Sequence, residues 1–356
     1  MDENNMRKEE LSDEGERNKM GVIACMCYVL GNIIGSGIFT SPSAILAKVN
    51  STGLSLIIWI VCGLYSLFGA LVYIELGTSI PEPGCHFAYS HYVGWHSAAF
   101  AFMWIGVTLG YPASNAIQAQ TFGKYLVDGV APLYAIGDPY KWALERVFGI
   151  LLILTITWLN MLSLGIIVSK FQIIATLAKM LSIALIIGGG FYRLIFENKT
   201  ENLENLMQHS NYNIDSLVLA FYAGLWSYIG WDILNYGISE IRNPAKTMPL
   251  ALTSGMLIII ITYLATNISY AIVLSNDEIL HTNAIAALFS QKVFGKFSYI
   301  IPFLIANFIC GSLNCAIFAG SRYLYAAARE GYLPAFLSCI GENDASPKPA
   351  LVVEVI

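Results

Sequence analysis

The segment GNIIGSGIFTSP, residues 31–42, places poor helix formers inside an apolar run long enough to cross a membrane. Gly35, Ser36 and Gly37 favour a break in the helix at this point. An unwound turn leaves backbone N–H groups without partners, and the half-helix that follows directs its positive end at the gap, where an anion can bind. Two interpretations are open: close helix packing through Gly31 and Gly35, and a discontinuous helix that lines a ligand cavity.

A second break is predicted in the sixth apolar segment, FYAGLWSYIGWDILNYGISE, residues 221–240. Gly224 and Gly230 flank a group of aromatic residues, and Asp232 lies within the run. A charge in mid-membrane costs about 2.5–3.5 kcal/mol on insertion scales, so its presence indicates a function. The first and sixth segments enter the membrane in opposite directions. This pattern is typical of transporters built from five-span inverted repeats, which bind substrate between two broken helices.

Lys179 is a further charge inside an apolar segment. It lies about ten residues after Lys170, roughly 15 Å along a helix and near the midplane. One interpretation is a lysine that snorkels to the interface. The other is a fixed ammonium that occupies the place of a sodium ion and holds the carbonyls released by the first break.

The elements that position these groups are predicted to be membrane helices. Apolar residues make up 56% of the 356-residue chain and charged residues only 12%, whereas soluble proteins average about 25% charged residues. This composition predicts an all-α polytopic membrane protein in contact with a lipid bilayer, and nothing in it indicates a nucleic-acid-binding surface. We predict eight spans of sufficient length, at 21–47, 54–80, 94–127, 147–168, 170–194, 214–239, 249–275 and 297–327, and the start of a ninth at Ala350.

The predicted orientation places the N-terminus in the cytosol. The first 20 residues mix acids and bases and lack the features of a signal peptide. Arg322 and Arg329 then follow the eighth span as a positive-inside anchor, with a role in an inner gate as the alternative. Asn198 lies in a sequon of the outer loop and is a candidate glycosylation site. The expected organisation is a tail at 1–20, a first repeat at 21–194, an outer loop at 195–213 and an incomplete second repeat at 214–356.

Catalytic and metal chemistry have no visible support along the chain. No Ser/His/Asp arrangement or phosphate-binding loop is present, so we predict no enzyme activity and no cofactor. We also predict no metal site, because the histidines have no metal-ligand spacing with cysteines or acids; they are His86, His91, His96, His209 and His281.

Several motifs together resemble a known family. They are GNIIGSGIFTSP, YIELGTSIPEPG, FYAGLWSYIGWDILNYGISEIRNPAKTMPLAL and GSLNCAIFAGSRYLYAAAREGYLPAFLS. They resemble the L-type amino acid transporters, the light chains of heteromeric amino acid transporters in the amino acid–polyamine–organocation superfamily. The resemblance runs from about Lys19 to Leu351. It implies a leucine-transporter-like fold of twelve spans and mostly sodium-independent exchange of amino acids, and we expect a plasma-membrane location.

The resemblance also implies site residues. Gly35, Ser36 and Gly37 match the carboxylate-binding loop, and Lys179 matches the span-five lysine of the family. The other matches are Ile33 and Ile34, whose carbonyls help to hold the amine, Trp226, which closes over the substrate, Ser227 and Ile229 in the unwound sixth helix, and Ser312 and Asn314, polar positions of span eight near the site.

The expected substrates are large neutral L-amino acids, because Trp226 and Ile229 would form a large apolar wall. Asp232 stands where the family often has Asn. It leaves two alternatives open, attraction of a cationic side chain or pairing with a neighbour, so a cationic/neutral exchanger remains an alternative.

Three departures from the family bear on these expectations. The loop VDGVAPLYAIGDPYKWALER between spans three and four has no cysteine, so we expect no covalent heavy-chain partner. Cys85 stands where a glycine is usual, and a small buried thiol is the simple interpretation. The second repeat has three spans of the five expected. A truncated regulatory or amino-acid-sensing form is therefore an alternative to an exchanger.

Overall fold

The structure is a computed structural model that describes residues 19–134, 138–162, 167–282, 285–295, 301–341 and 346–355. Most of the predicted tail therefore lies outside the described residues. Within these ranges the chain is helical and contains no strand; an isolated bridge joins Met20 to Ile241.

The helices follow the predicted spans, with short helices between them. They are α1 (Val22–Ile33), α2 (Gly37–Val49), α3 (Thr52–Ser79), α4 (His86–Tyr92), α5 (His96–Ile105), α6 (Tyr111–Tyr134), α7 (Asp138–Asn160), α8 (Ser169–Phe196), α9 (Ile214–Ser227), α10 (Ile233–Tyr236), α11 (Pro244–Val273), α12 (Asn276–His281), α13 (Ile285–Phe294), α14 (Ile301–Arg329) and α15 (Lys348–Val355). A π-turn, Gly106–Gly110, joins α5 to α6, and 3₁₀ turns lie at Glu201–Leu203, Ile238–Glu240 and Ala335–Ser338.

Among the described residues, five helices are long and apolar enough to cross a bilayer: α3, α7, α8, α11 and α14. The pair α1 and α2 forms a sixth span that is bent by 46°. A helix that is apolar all round must be covered on every side by protein or by lipid. In α3, Trp59 faces the protein core, whereas Phe68 and Val72 are exposed, as expected for a lipid-facing surface.

The loop predicted between spans three and four is largely helical. The helix α6 continues to Tyr134 and α7 begins at Asp138. An ion pair between Lys141 and Asp128, with N and O 2.7 Å apart, joins the two polar extensions. The predicted boundaries were short here because hydropathy detects the apolar part of a helix and not its polar ends.

The first and sixth spans run antiparallel. At one end, the N–H of Met20 donates to the carbonyl of Glu240 over 2.8 Å, so the start of α1 lies beside the end of span six. At the other end, the N–H of Asn211 donates to the carbonyl of Val49 over 2.9 Å, so the end of α2 lies beside the start of α9. The two broken spans therefore face each other along their length.

Arg322 is not a surface anchor. It is almost fully buried, and its Nε and Nη2 lie 3.0 and 3.2 Å from the two carboxylate oxygens of Glu240. Arg329 lies two turns further along α14 and pairs with Glu82 at the end of span two. These ends of spans two, six and eight are thus linked by charge pairs, an arrangement that fits the gate alternative better than the anchor interpretation.

Candidate binding site at two helix breaks

The first break separates α1 from α2. Ile34 leaves the helical region with φ −75° and ψ 89°, and α2 starts at Gly37. Within the described part of the chain, no backbone carbonyl accepts from the N–H groups of Gly35, Ser36 or Gly37. These donors lie at the positive end of α2. The turn therefore has the chemistry of a carboxylate site.

The glycines of this segment have different roles. A Cβ on Gly31 would lie 2.0 Å from a side-chain nitrogen of α8, so this glycine permits close helix packing. A Cβ on Gly37 would lie 2.8 Å from the Cα of Ser227, so this glycine permits the two breaks to touch. A Cβ on Gly35 would meet only Ser312 Oγ, at an ordinary 3.6 Å. The packing interpretation holds for Gly31 and not for Gly35.

Lys179 lies fully buried beside the first break. Its Nζ donates to the carbonyls of Gly31 and Ile34 over 2.7 and 3.0 Å, and to Ser312 Oγ over 2.9 Å. All three donors of the ammonium are therefore used. The positive charge also lies at the negative end of α1. The side chain does not snorkel; it caps the open end of the first half-helix.

The second break lies between Ser227 and Ile233. Gly230 has φ +105°, a conformation that favours glycine. Its carbonyl accepts from Asn32 Nδ2 over 2.9 Å, and a Cβ at this position would lie 2.4 Å from the same nitrogen. The turn is thus held directly against the first broken helix.

Tyr263 of α11 joins the two breaks and was not selected from the sequence. Its hydroxyl oxygen lies 2.9 Å from the carbonyl of Ile33 and 3.0 Å from that of Ser227. A second link runs from Ser227 Oγ to Ser41 Oγ over 2.7 Å. No sequence signal marks Tyr263, because its partners are backbone carbonyls and it lies in an uninterrupted apolar helix.

The carbonyls expected to hold an amine are already in use. Ile33 accepts from Tyr263 and Ile34 accepts from Lys179. A carbonyl oxygen has two lone pairs, so each keeps one for a ligand ammonium.

Three predicted site residues form no hydrogen bond with the first break in the described part of the chain. Trp226 and Ile229 are 65% and 58% exposed, so within the described residues neither side chain is packed over the breaks. Asn314 is fully buried but bonded away from the break. Its amide accepts from Asn160 and donates to Gln172, both over 2.8 Å, so it belongs to a polar network that joins α7, α8 and α14.

Asp232 is paired with neighbours. Its Oδ2 lies 3.2 Å from His86 Nε2 and accepts from the hydroxyl of Tyr236 over 3.2 Å. This geometry favours the pairing alternative over attraction of a cationic substrate. It also brings Asp232 to Cys85 and His86, with ligand atoms within 4.8 Å of one another. Spacing along the chain concealed this group, because the acid lies far from the other two residues in sequence.

Comparison with known proteins gives the family. The model of the amino acid permease family matches residues 20–356. Amino acid transporter protein 6 of Caenorhabditis elegans is 43% identical over 346 residues, which cover 97% of this chain and 66% of that protein. The cystine/glutamate transporter of Homo sapiens is 36% identical over 337 residues, with coverage of 95% and 66%. The b(0,+)-type amino acid transporter 1 of Oryctolagus cuniculus is 34% identical over 353 residues, with coverage of 99% and 71%.

The chain thus spans about two thirds of the length of such relatives. Among solved structures, MhsT in complex with L-phenylalanine is 12% identical with a TM-score of 0.59, covering 94% of this chain and 76% of that one. This likeness confirms the predicted leucine-transporter-like fold. The chain is an integral multi-pass membrane protein of the amino acid permease family, related to the L-type amino acid transporters that its motifs indicated.

Proposed function

We propose that the chain binds α-amino acids at the two helix breaks and exchanges them across the plasma membrane without sodium. The observation that carries the proposal is the ammonium of Lys179, which holds two carbonyls of the first broken helix and Ser312. A lysine ammonium at this point would take the place of a bound metal cation. The proposed activity is transport rather than catalysis.

The two ends of the zwitterion have separate partners. The substrate carboxylate binds the N–H groups of Gly35, Ser36 and Gly37 at the start of α2. The substrate ammonium binds the remaining lone pairs of the carbonyls of Ile33 and Ser227. The protein thus recognises both charges with backbone dipoles, so no charged side chain needs to touch the substrate.

Large neutral L-amino acids are the proposed substrates. The carboxylate of Asp232 already faces His86 and Tyr236, which argues against its use for a cationic side chain. Relatives whose names include a cystine/glutamate transporter show that the family scaffold accepts other side chains. The substrate class therefore needs its own assay.

The proposed topology places the N-terminus in the cytosol. Repeats at 21–194 and 214–356 are supported by the antiparallel course of spans one and six. The loop at 195–213 then lies outside the cell, where exposed Asn198 is a proposed glycosylation site. The absence of cysteine from residues 127–146 supports a chain without a covalent heavy-chain partner.

The test uses the purified 356-residue chain in liposomes, in sodium-free buffer, with leucine inside or absent. Entry of labelled leucine should be faster into leucine-loaded vesicles than into empty ones. Lysine should compete weakly. Binding without entry would overturn transport and favour the sensing alternative. Absence of binding would overturn the site itself.

A further inference from the structure

We propose that Cys85, His86 and Asp232 form a binding site for a transition-metal ion, Zn²⁺ in particular. His86 Nε2 lies 3.2 Å from Asp232 Oδ2, and Cys85 Sγ lies 3.8 Å from the same oxygen. Around a tetrahedral zinc ion with ordinary bond lengths, neighbouring ligand atoms are separated by about 3.3–3.6 Å. Two of the three separations are therefore close to those that the ion requires, and all three ligand atoms lie within 4.8 Å of one another.

The chemistry of the three ligands selects the class of metal. A thiolate, an imidazole and a carboxylate together suit Zn²⁺, whereas Mg²⁺ and Ca²⁺ prefer oxygen ligands alone. Binding requires the Cys85 thiol to release its proton to solvent. The side chains of His86 and Asp232 are 37% and 17% exposed, so an ion would enter on their side, whereas Cys85 is fully buried.

The backbone of Cys85 points to a reason for a thiol at this position. Its φ of 49° and ψ of −119° lie in a region that favours glycine, and the residue is fully buried. Non-glycine residues persist in such conformations mainly where the side chain has a function. Here the conformation brings Sγ to Asp232.

The imidazole of His86 is held in the orientation that ligation needs. Its Nδ1 lies 2.6 Å from the hydroxyl of Tyr73, which leaves Nε2 for the metal. Histidine ligands in metal sites usually have such a partner on the second nitrogen. Tyr236 donates to Asp232 Oδ2, the same oxygen that faces Cys85 and His86, so it holds this oxygen at the site.

The site would connect two segments that are far apart in the chain. Cys85 and His86 belong to the turn before α4 and to its first residue, whereas Asp232 closes the second helix break. A bound ion would fix this break to the segment after span two. The inference does not rest on the proposed transport, because metal binding can be measured without it.

The test uses the purified chain in detergent and Co²⁺ as the probe. We expect one ion per chain, with a thiolate-to-cobalt charge-transfer band that Zn²⁺ abolishes by displacement. Cys85→Ser, His86→Ala and Asp232→Asn should each remove the band. Tyr73→Phe should weaken binding by roughly 10- to 100-fold, as for other partners of metal ligands. Cys339→Ser and His281→Ala are matched controls and should retain the band.

The Cys85→Gly variant distinguishes loss of the thiol ligand from loss of the fold. Glycine suits the backbone conformation of this position, so this variant should stay folded and still lack the band. Zn²⁺ should raise the melting temperature of the wild-type chain and not that of Cys85→Gly. A band that survives both Cys85 variants, or no thiolate band in the wild-type chain, would overturn the proposal. Loss of the band in the controls would do the same.

Discussion

Replacement of Lys179 with alanine removes the cation at the first break. The carbonyl of Gly31 stays 3.3 Å from the hydroxyl of Ser312, whose single proton it shares with the carbonyl of Phe308 at 3.2 Å. The carbonyl of Ile34 loses its donor from Lys179. An unsatisfied buried acceptor costs about 1–3 kcal/mol, which corresponds to a change of roughly 5- to 150-fold in the population of the binding geometry. We expect sodium-free leucine exchange to fall by about this factor.

The assay compares leucine exchange by wild-type, Lys179→Ala and Lys199→Ala chains in sodium and in choline buffer. Lys199 lies in the exposed loop after α8 and serves as the control. Sodium should partly restore leucine exchange by the Lys179→Ala chain, because the vacated space is lined by oxygen atoms. It should not change exchange by the wild-type or Lys199→Ala chains. Normal sodium-free exchange by Lys179→Ala would refute the reasoning. If exchange is lost and sodium does not restore it, Lys179 has a structural role and is not a substitute for sodium.

Three further changes test other parts of the structure. Gly37→Ala should lower leucine affinity and Tm together, because its Cβ would overlap the backbone of α9, whereas Gly35→Ala should leave Tm unchanged in a thermal melt. Arg322→Met should destabilise the chain by about 3–5 kcal/mol through the unpaired Glu240, and Glu240→Gln in the same chain should recover part of that loss of Tm. The pKa of Glu278 is lowered by its hydrogen bond to a lysine of α13 and by the backbone N–H of Ser275. The ionised carboxylate therefore stabilises the fold at neutral pH, and this stabilisation is lost as the pH falls through the lowered pKa. The Tm difference between wild-type and Glu278→Gln chains should therefore disappear in acid, and a difference that persists there would contradict the assignment.

The sequence could reveal the first break and Lys179 because both leave a local signal. Gly35 and its neighbours are poor helix formers, and a lysine in an apolar run is conspicuous. Asn314 also attracts notice as a polar residue in a span. The direction of its side chain could not be predicted, because its hydrogen-bond partners come from two other helices.

The role of Tyr263 and the grouping of Asp232 with His86 depend on contacts between residues far apart in the chain. A tyrosine that donates to backbone carbonyls needs no particular partner residue, so composition and periodicity do not reveal it. The expected wall of Trp226 and Ile229 rested on a resemblance in sequence. Both side chains are exposed in the structure, and sequence alone could not predict how far each would be covered by neighbouring helices.

The shared hydrogen bond of Tyr263 has a consequence for movement. A phenol has one proton, yet this one lies within bonding distance of a carbonyl from each broken helix. If the halves separate, the hydroxyl can follow either carbonyl and still donate its proton. Relative motion of the two helices then proceeds without leaving a buried donor unpaired, and the hydroxyl stretching frequency of Tyr263 would report which helix it has followed.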